Sequence, residues 1–208
     1  MSDIRVRTAR ADEHERVAAV TVEGFGSRNS APRPERLALL RDTPGRAAAG
    51  DLLVAVHEPS GTLIGTASLL RPGTAYARLA QPDEAELRLL AVLPEHRGRG
   101  AGGALLTEGI ERARSWGMRA LVLDTGRDNV VSQRVYHRLG FVRQYAREER
   151  ENRHRPLKTA VFSHDLGRRR ARRPPPAPTP ADAEQSAMPR RRCRSRGGPD
   201  ATVRMRGR

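Results

Sequence analysis

Residues 93–106 read LPEHRGRGAGGALL, with four glycines and two arginines between an apolar run and a stretch of helical spacing. A strand that enters a glycine-rich turn and continues at once into a helix gathers several backbone N–H groups and the positive end of a helix dipole at one spot. That arrangement binds anions. Gly98, Gly100 and Gly102 let the backbone turn tightly and approach a ligand, while Gly103 lets the helix sit close on a sheet. The glycines alone are a weak signal, because no Gly-Lys-Ser/Thr follows and the spacing is not G-x-G-x-x-G. A few polar groups in and beyond this turn have two readings each. Tyr136 is either a reactive phenol or a core residue with its hydroxyl at the rim, and Asn129 is either a ligand contact or a helix cap. Arg97 and Arg99 are either phosphate contacts or solvated charges.

The elements that must hold these groups follow from periodicity. IRVRTA alternates with period two, a short strand with Ile4 and Val6 on one face. Asp12 and Glu15 have the form of a cap and capping box for a helix with a Val17, Val20, Val22 stripe. A second helix starts at Pro34 and turns Leu37, Leu39 and Leu40 inward. Two apolar runs around the Pro-Ser-Gly turn of DLLVAVHEPSGTLIGTASLL predict a hairpin. A central strand spans Glu84 to Val92. The helix after the glycine turn covers about Gly100 to Trp116, burying Leu105, Leu106, Ile110 and Ala113 and ending at Gly117. RALVLDT is a buried strand, and NVVSQRVYHRLG is a helix carrying Val131, Val135, Tyr136 and Leu139. FVRQYAR and TAVFSHDL supply the last two strands. The order β-α-α-β-β-β-α-β-α-β-β is an α/β sheet with helices on both faces.

RGRGAG, residues 97–102, resembles the Gln/Arg-x-x-Gly-x-Gly/Ala signature of the GNAT superfamily of N-acetyltransferases, with Arg97, Gly100 and Gly102 at the signature positions. Its surroundings, LRLLAVLPEHRGRGAGGALL, look like that family's central strand, loop and helix. NVVSQRVYHRLGFV resembles the later segment that closes the cofactor site. The resemblance covers roughly residues 3 to 166 and is strongest over 86 to 142. It implies a mixed, mostly antiparallel central sheet and acetyl-CoA as co-substrate. The loop backbone from Arg97 through Gly98, Arg99, Gly100 and Ala101 to Gly102 would hold the pyrophosphate. The main chain of Leu90, Ala91 and Val92 would pair with the pantetheine arm, with the Val92 N–H polarising the thioester carbonyl. Tyr136 falls at the position of the general acid, and Asn129 at that of a residue contacting pantetheine or orienting a water.

Transfer to an amine also needs a base or a counter-ion for the cationic amine, and Glu86, then Glu84, are the candidates on the strand. The implied reaction is direct attack of a primary amine on acetyl-CoA. The alternatives are a module that senses acetyl-CoA without efficient turnover and a nucleic-acid-associated protein acting through its tail. Segment 24–51 matches no substrate class, so the acceptor stays open.

The formal net charge of +15 would by itself suggest nucleic acid, but the charge is unevenly placed. Residues 168–208 carry 13 arginines against three acidic residues, with a proline run and few aliphatic side chains. Such a segment buries too little apolar area to offset ordering, so it is expected to be disordered, and residues 1–167 form the domain. The tail lacks aromatic residues that stack on bases, so nucleic acid is not its expected partner. The one cysteine, Cys193, lies there, and His96 and His137 read as surface residues. No cluster of His, Asp and Glu at ligand spacing suggests a metal. No apolar run is long enough for a leader or a span, which points to the cytoplasm. The expected partners are acetyl-CoA and an amine, with the chain a monomer or homodimer and no membrane contact.

Overall fold

In the computed structural model, which describes residues 3–26, 33–153 and 158–167, the chain builds a seven-stranded sheet. Its strands are β1 (Ile4–Thr8), β2 (Gly50–His57), β3 (Thr62–Leu70), β4 (Glu84–Val92), β5 (Ala120–Gly126), β6 (Val142–Arg143) and β7 (Thr159–Asp165), in the order β1-β2-β3-β4-β5-β7-β6. Every neighbouring pair is antiparallel except β4–β5. The helices are α1 (His14–Gly26), α2 (Pro34–Arg41), α3 (Thr43–Ala48), α4 (Ala101–Ser115), α5 (Val130–Arg138) and α6 (Tyr145–Asn152). The tail expected to be disordered, with Cys193, lies outside the described residues.

Alternation along β2 shows why both faces are covered. Leu53 and Ala55 join a cluster with Leu105, Leu106 and Ile110 of α4, while Leu52, Val54 and Val56 pack with Val17 and Val20 of α1. Strand β4 is fully buried over Glu84–Leu87, as a central strand must be. Helix α4 buries Leu105, Leu106, Ile110 and Ala113 as its periodicity predicts, and Gly117 ends it in the left-handed region at φ 75°.

The differences from the sequence reading have local causes. The entry to α1 is capped by Glu13, not by Asp12 with Glu15. Glu13 Oε2 accepts from the Arg10 N–H at 2.8 Å while Arg7 of β1 clamps both carboxylate oxygens at 2.6 Å. The Arg7 hydrogen bonds hold the Glu13 carboxyl at about 2, well below its usual 4.5. The buried stripe of α1 runs Val17, Val20, Thr21, and Val22 is only half-buried. On α2 only Leu40 is fully buried, with Leu37 and Leu39 half-buried. Helix α3, hidden in the sequence by its Pro and Gly, starts where Asp42 accepts from the Gly45 N–H at 2.9 Å. Val131 of α5 is 74% exposed, while Tyr136 of the same helix is buried. The stretch FVRQYAR is a strand only at Val142–Arg143 and then turns into α6. That helix delivers the buried Glu148 to the Arg143 Nε at 2.6 Å and the Val161 N–H at 3.2 Å. Burial raises the Glu148 pKa, but Arg143 and the N–H outweigh it and the net shift is downward.

Candidate active site

Strands β4 and β5 pair only over Glu84–Glu86 and Ala120–Val122. Beyond that they separate. Leu89 adopts φ 53°, and the β3–β4 register slips between Ser68↔Arg88 and Thr66↔Ala91, so two residues of β4 oppose one of β3. Such a bulge bends its strand and sharpens the local twist. The Leu93 N–H donates to Ile64 O on β3 at 2.9 Å. By the alternation of an antiparallel ladder, the Val92 N–H points away from β3, into the gap that β5 has left.

The chain then runs through a short 3-10 turn, Pro94–His96, and the glycine turn into α4. Gly98 and Gly100 sit at φ 75° and 95°, with no atom within 4 Å of where a Cβ would stand. Here only glycine combines the left-handed backbone with an open approach. Among the described residues the N–H groups of Gly98, Arg99, Gly100, Ala101, Gly102 and Gly103 make no hydrogen bond, whereas the Arg97 N–H donates to Pro94 O at 3.2 Å. Six consecutive free N–H groups at the start of a fifteen-residue helix form a cradle for an anion such as a pyrophosphate. Arg97 points its side chain elsewhere, donating from Nη2 to Gly24 O at 2.8 Å and from Nε to Val92 O at 3.3 Å. It ties α1 to the end of β4. The two elements touch at Gly24, where a Cβ would lie 2.8 Å from Ala91 Cβ. Arg99 is exposed and makes no hydrogen bond or ion pair among the described residues.

Tyr136 of α5 is 7% exposed and meets Phe162 edge-on at 5.3 Å between ring centroids and Phe141 at 5.9 Å. Leu90 and Val92 pack against the same cluster. Asn129 caps α5, accepting from the Ser132 N–H at 3.4 Å, and its amide donates to Thr125 Oγ1 at 2.8 Å and Ser132 Oγ at 2.7 Å.

Glu86 is completely buried. Its Oε2 accepts from the N–H groups of Arg78, Leu79 and Ala80 at 2.5, 2.6 and 3.1 Å, fastening the loop before β4. Its Oε1 lies 3.5 Å from Arg88 Nε and has no hydrogen-bond partner among the described residues. Glu84 is fully engaged by Arg119, Arg147 and the Gln81 N–H. The sequence reading missed Arg78 and Arg88, which contact Glu86, Asp124, which pairs with Arg78, and Arg36, whose charge acts on Arg88. The one local signal was the i, i+2 placement of Glu86 and Arg88, which puts them on one face of β4. Among the described residues no group of three or more His, Cys, Asp or Glu could hold a metal, and no helix is long and apolar enough to cross a membrane.

Residues 15–141, more than half of the chain, match the Acetyltransferase (GNAT) family. Mycothiol acetyltransferases of Arthrobacter sp. (strain FB24) and Cellulomonas flavigena are 36% and 34% identical to it over 87 and 88 residues. Each match covers 41% of this chain, and the chain spans about a quarter (26% and 25%) of the length of these relatives. An acetyltransferase of the GNAT family from Staphylococcus aureus Mu50 superposes with a TM-score of 0.62 at 15% identity, covering 79% of this chain and 99% of that one. A phosphinothricin acetyltransferase from Sinorhizobium meliloti, solved in complex with acetyl-CoA, gives 0.59 at 24% identity over 80% of this chain and 90% of that one. The splayed strands, the glycine turn and the helix behind it thus sit in a shared fold, and the chain belongs to the GNAT family of acetyltransferases.

Proposed function

We propose that this domain transfers the acetyl group of acetyl-CoA to a primary amine. The observation that carries the reading is a conjunction: six free N–H groups at the start of α4 adjoin a strand edge that has lost its partner beyond Glu86. Acetyl-CoA, when bound, supplies an activated acetyl thioester. The backbone of the turn, from Arg97 through Gly98, Arg99, Gly100 and Ala101 to Gly102 and on to Gly103, holds the pyrophosphate. The Arg97 side chain keeps Gly24 and Val92 in place. The main chain of Leu90, Ala91 and Val92 receives the pantetheine arm. The Val92 N–H is directed at the thioester oxygen, where a donor fixed in advance stabilises developing negative charge.

Tyr136 supplies the proton that the departing thiolate takes up. Asn129, both of whose amide hydrogens are engaged, acts as a positioning residue that holds the start of α5 and through it Tyr136. Glu86 serves the acceptor as a counter-ion, with Oε1 as the remaining hydrogen-bond acceptor of a carboxylate otherwise held by the loop.

Purified full chain with acetyl-CoA should release thiol only when an amine is added. Binding of acetyl-CoA with no thiol release across a broad amine panel would sink the transfer reading and leave a cofactor sensor. Tyr136→Phe should lower kcat about a hundredfold with acetyl-CoA affinity kept, the usual scale for losing a positioned acid. An unchanged kcat removes Tyr136 from this role.

A further inference from the structure

The face of the sheet opposite α4 carries a charge pattern that acetyl transfer alone does not require. Glu86 and Arg88 alternate with Leu87, and Asp124 with Leu123, and both leucines belong to the α4-side cluster. The three charged residues therefore share the other face, where Leu79, Val122 and Val161 form a small apolar floor. Arg88 and Asp124 each stand two residues beyond the last paired position, Glu86↔Val122, one on each side of the splay. Arg78 spans the gap: its N–H donates to Glu86 at 2.5 Å and its Nη2 pairs with Asp124 at 2.6 Å. Arg88 Nη1 donates to Tyr76 O, and its side chain is only 13% exposed.

Positive charge is in surplus here. Asp124 is matched by Arg78, and the Glu86 carboxylate is shared among three N–H groups and Arg88. Arg36 of α2 is left over. Its guanidinium lies 5.1 Å over the Phe25 ring and makes no hydrogen bond or ion pair among the described residues. The three guanidiniums feel one another. Burial lowers the Arg88 pKa and the charges of Arg78 and Arg36 lower it further, against the pull of Glu86 and Asp124, while Arg36 itself is exposed. Like charges gathered in one place raise the local concentration of a ligand of opposite sign.

We infer that the acceptor is an amine bearing an anionic acid group, with the acid received by Arg36, Arg78 and Arg88. This rests on the acetyl-transfer reading for what happens to the amine, but not for the acid site itself. Arginine suits the task, since its planar fork donates to two acid oxygens at once.

The test uses the full chain and amines matched in length: 4-aminobutyrate, its carboxamide and 3-aminopropylphosphonate. Each is compared by thiol release, referred to its neutral-amine fraction, and by calorimetric binding without acetyl-CoA. Both acids should exceed the carboxamide at least about tenfold in kcat/KM and in affinity, with the advantage shrinking as salt is added. A phosphonate ahead of the carboxylate would identify a tetrahedral acid, and the reverse a planar one. Arg36→Ala, which breaks no ion pair among the described residues, should collapse the acid-to-carboxamide ratio towards one, and Arg36→Lys should retain part of it. Acids that bind selectively without thiol release would overturn acetyl transfer and keep the acid site. Acids and carboxamide turned over alike would overturn the acid site and keep acetyl transfer. No turnover and no selective binding would overturn both.

Discussion

The two sides of the splay are built from different materials. On the α4 side the site is made of backbone: six N–H groups without partners among the described residues, two glycines at positive φ and a strand edge freed by a bulge. On the opposite side it is made of side chains, with Arg78 of the loop before β4 and Arg88 of β4 paired to Asp124 and Glu86, and Arg36 of α2 over the Phe25 ring. Backbone recognition tolerates most substitutions but fails where conformation is denied. Side-chain recognition fails residue by residue. A cofactor common to a family fits the first device, and an acceptor that differs among relatives fits the second.

The largest effect should come from denying the backbone its conformation. Gly100→Val forces a β-branched residue to φ 95°, beyond the usual range of L-residues. The turn must reorganise, and acetyl-CoA affinity measured by calorimetry should fall about a hundredfold or more, because several N–H contacts move together. Gly102→Ala, whose Cβ would meet only Leu90 and Val92 at 3.7 and 3.9 Å, should leave the fold untouched. The pair separates a glycine needed for its φ from one needed for closeness to ligand. Equal affinities in both variants and the parent would break the comparison.

Next in size is the contact that aligns the two sides. Gly24→Ala places a methyl 2.8 Å from Ala91 Cβ and 3.2 Å from the Val92 N, so α1 or β4 must shift. Overpacking of this kind costs about 1 to 3 kcal/mol, readable in a denaturant titration. Since the displaced strand edge carries the Val92 N–H, kcat should fall with it. A stable Gly24→Ala protein with normal kcat would show that α1 does not set the strand edge.

The same contrast explains what the sequence made legible. Strand β4, its glycine turn and α4 are contiguous, and their signals agree: an apolar run, then glycines, then a period of 3.6. Their bounds were therefore readable to within a residue. The bulge at Leu89 was not, because a leucine at φ 53° leaves no mark in composition. Helix α3 was hidden because six residues with a proline and a glycine show no periodicity, though Asp42 caps them. Helix α6 was mistaken for strand because FVRQY alternates, and only the need to bury Glu148 against Arg143 and β7 selects the helix. The acid site was unreadable for a further reason. Arg36, Arg78, Arg88 and Asp124 are spread over 89 positions of an arginine-rich chain, and only the fold separates them from solvated charges.

Away from both sites, the Glu13 clamp tests whether the frame is independent of the chemistry. A carboxyl held at about 2 in the fold and near 4.5 when unfolded contributes stability that is present above pH 4.5 and lost as the pH falls towards 2. Glu13→Gln should cost about 1 to 3 kcal/mol at pH 7 and flatten the loss of stability between pH 4.5 and 2, with thiol release at pH 7 unaffected. A slope in acid as steep as the parent's would assign that loss to other carboxyls, with Asp42 and Glu148, both shifted down, the next to test.

The smallest effect tests whether Asn129 works through the frame or on the ligand. Its carbonyl caps α5 and its amide is used by Thr125 and Ser132, so its contribution should be that of a helix cap. Asn129→Ala removes the cap and should cost about 1 kcal/mol of stability. Asn129→Asp keeps the capping oxygen but loses both donated hydrogen bonds, and it should fall between Ala and the parent. If Asn129 only positions α5, kcat in the two variants should track their stability, and acetyl-CoA affinity should not change. If it touches the bound cofactor, Asp should weaken acetyl-CoA binding more than Ala does, because it brings a negative charge towards a site built for an anion. The order of the two variants in affinity, rather than the size of either loss, decides between a residue of the frame and a residue of the site.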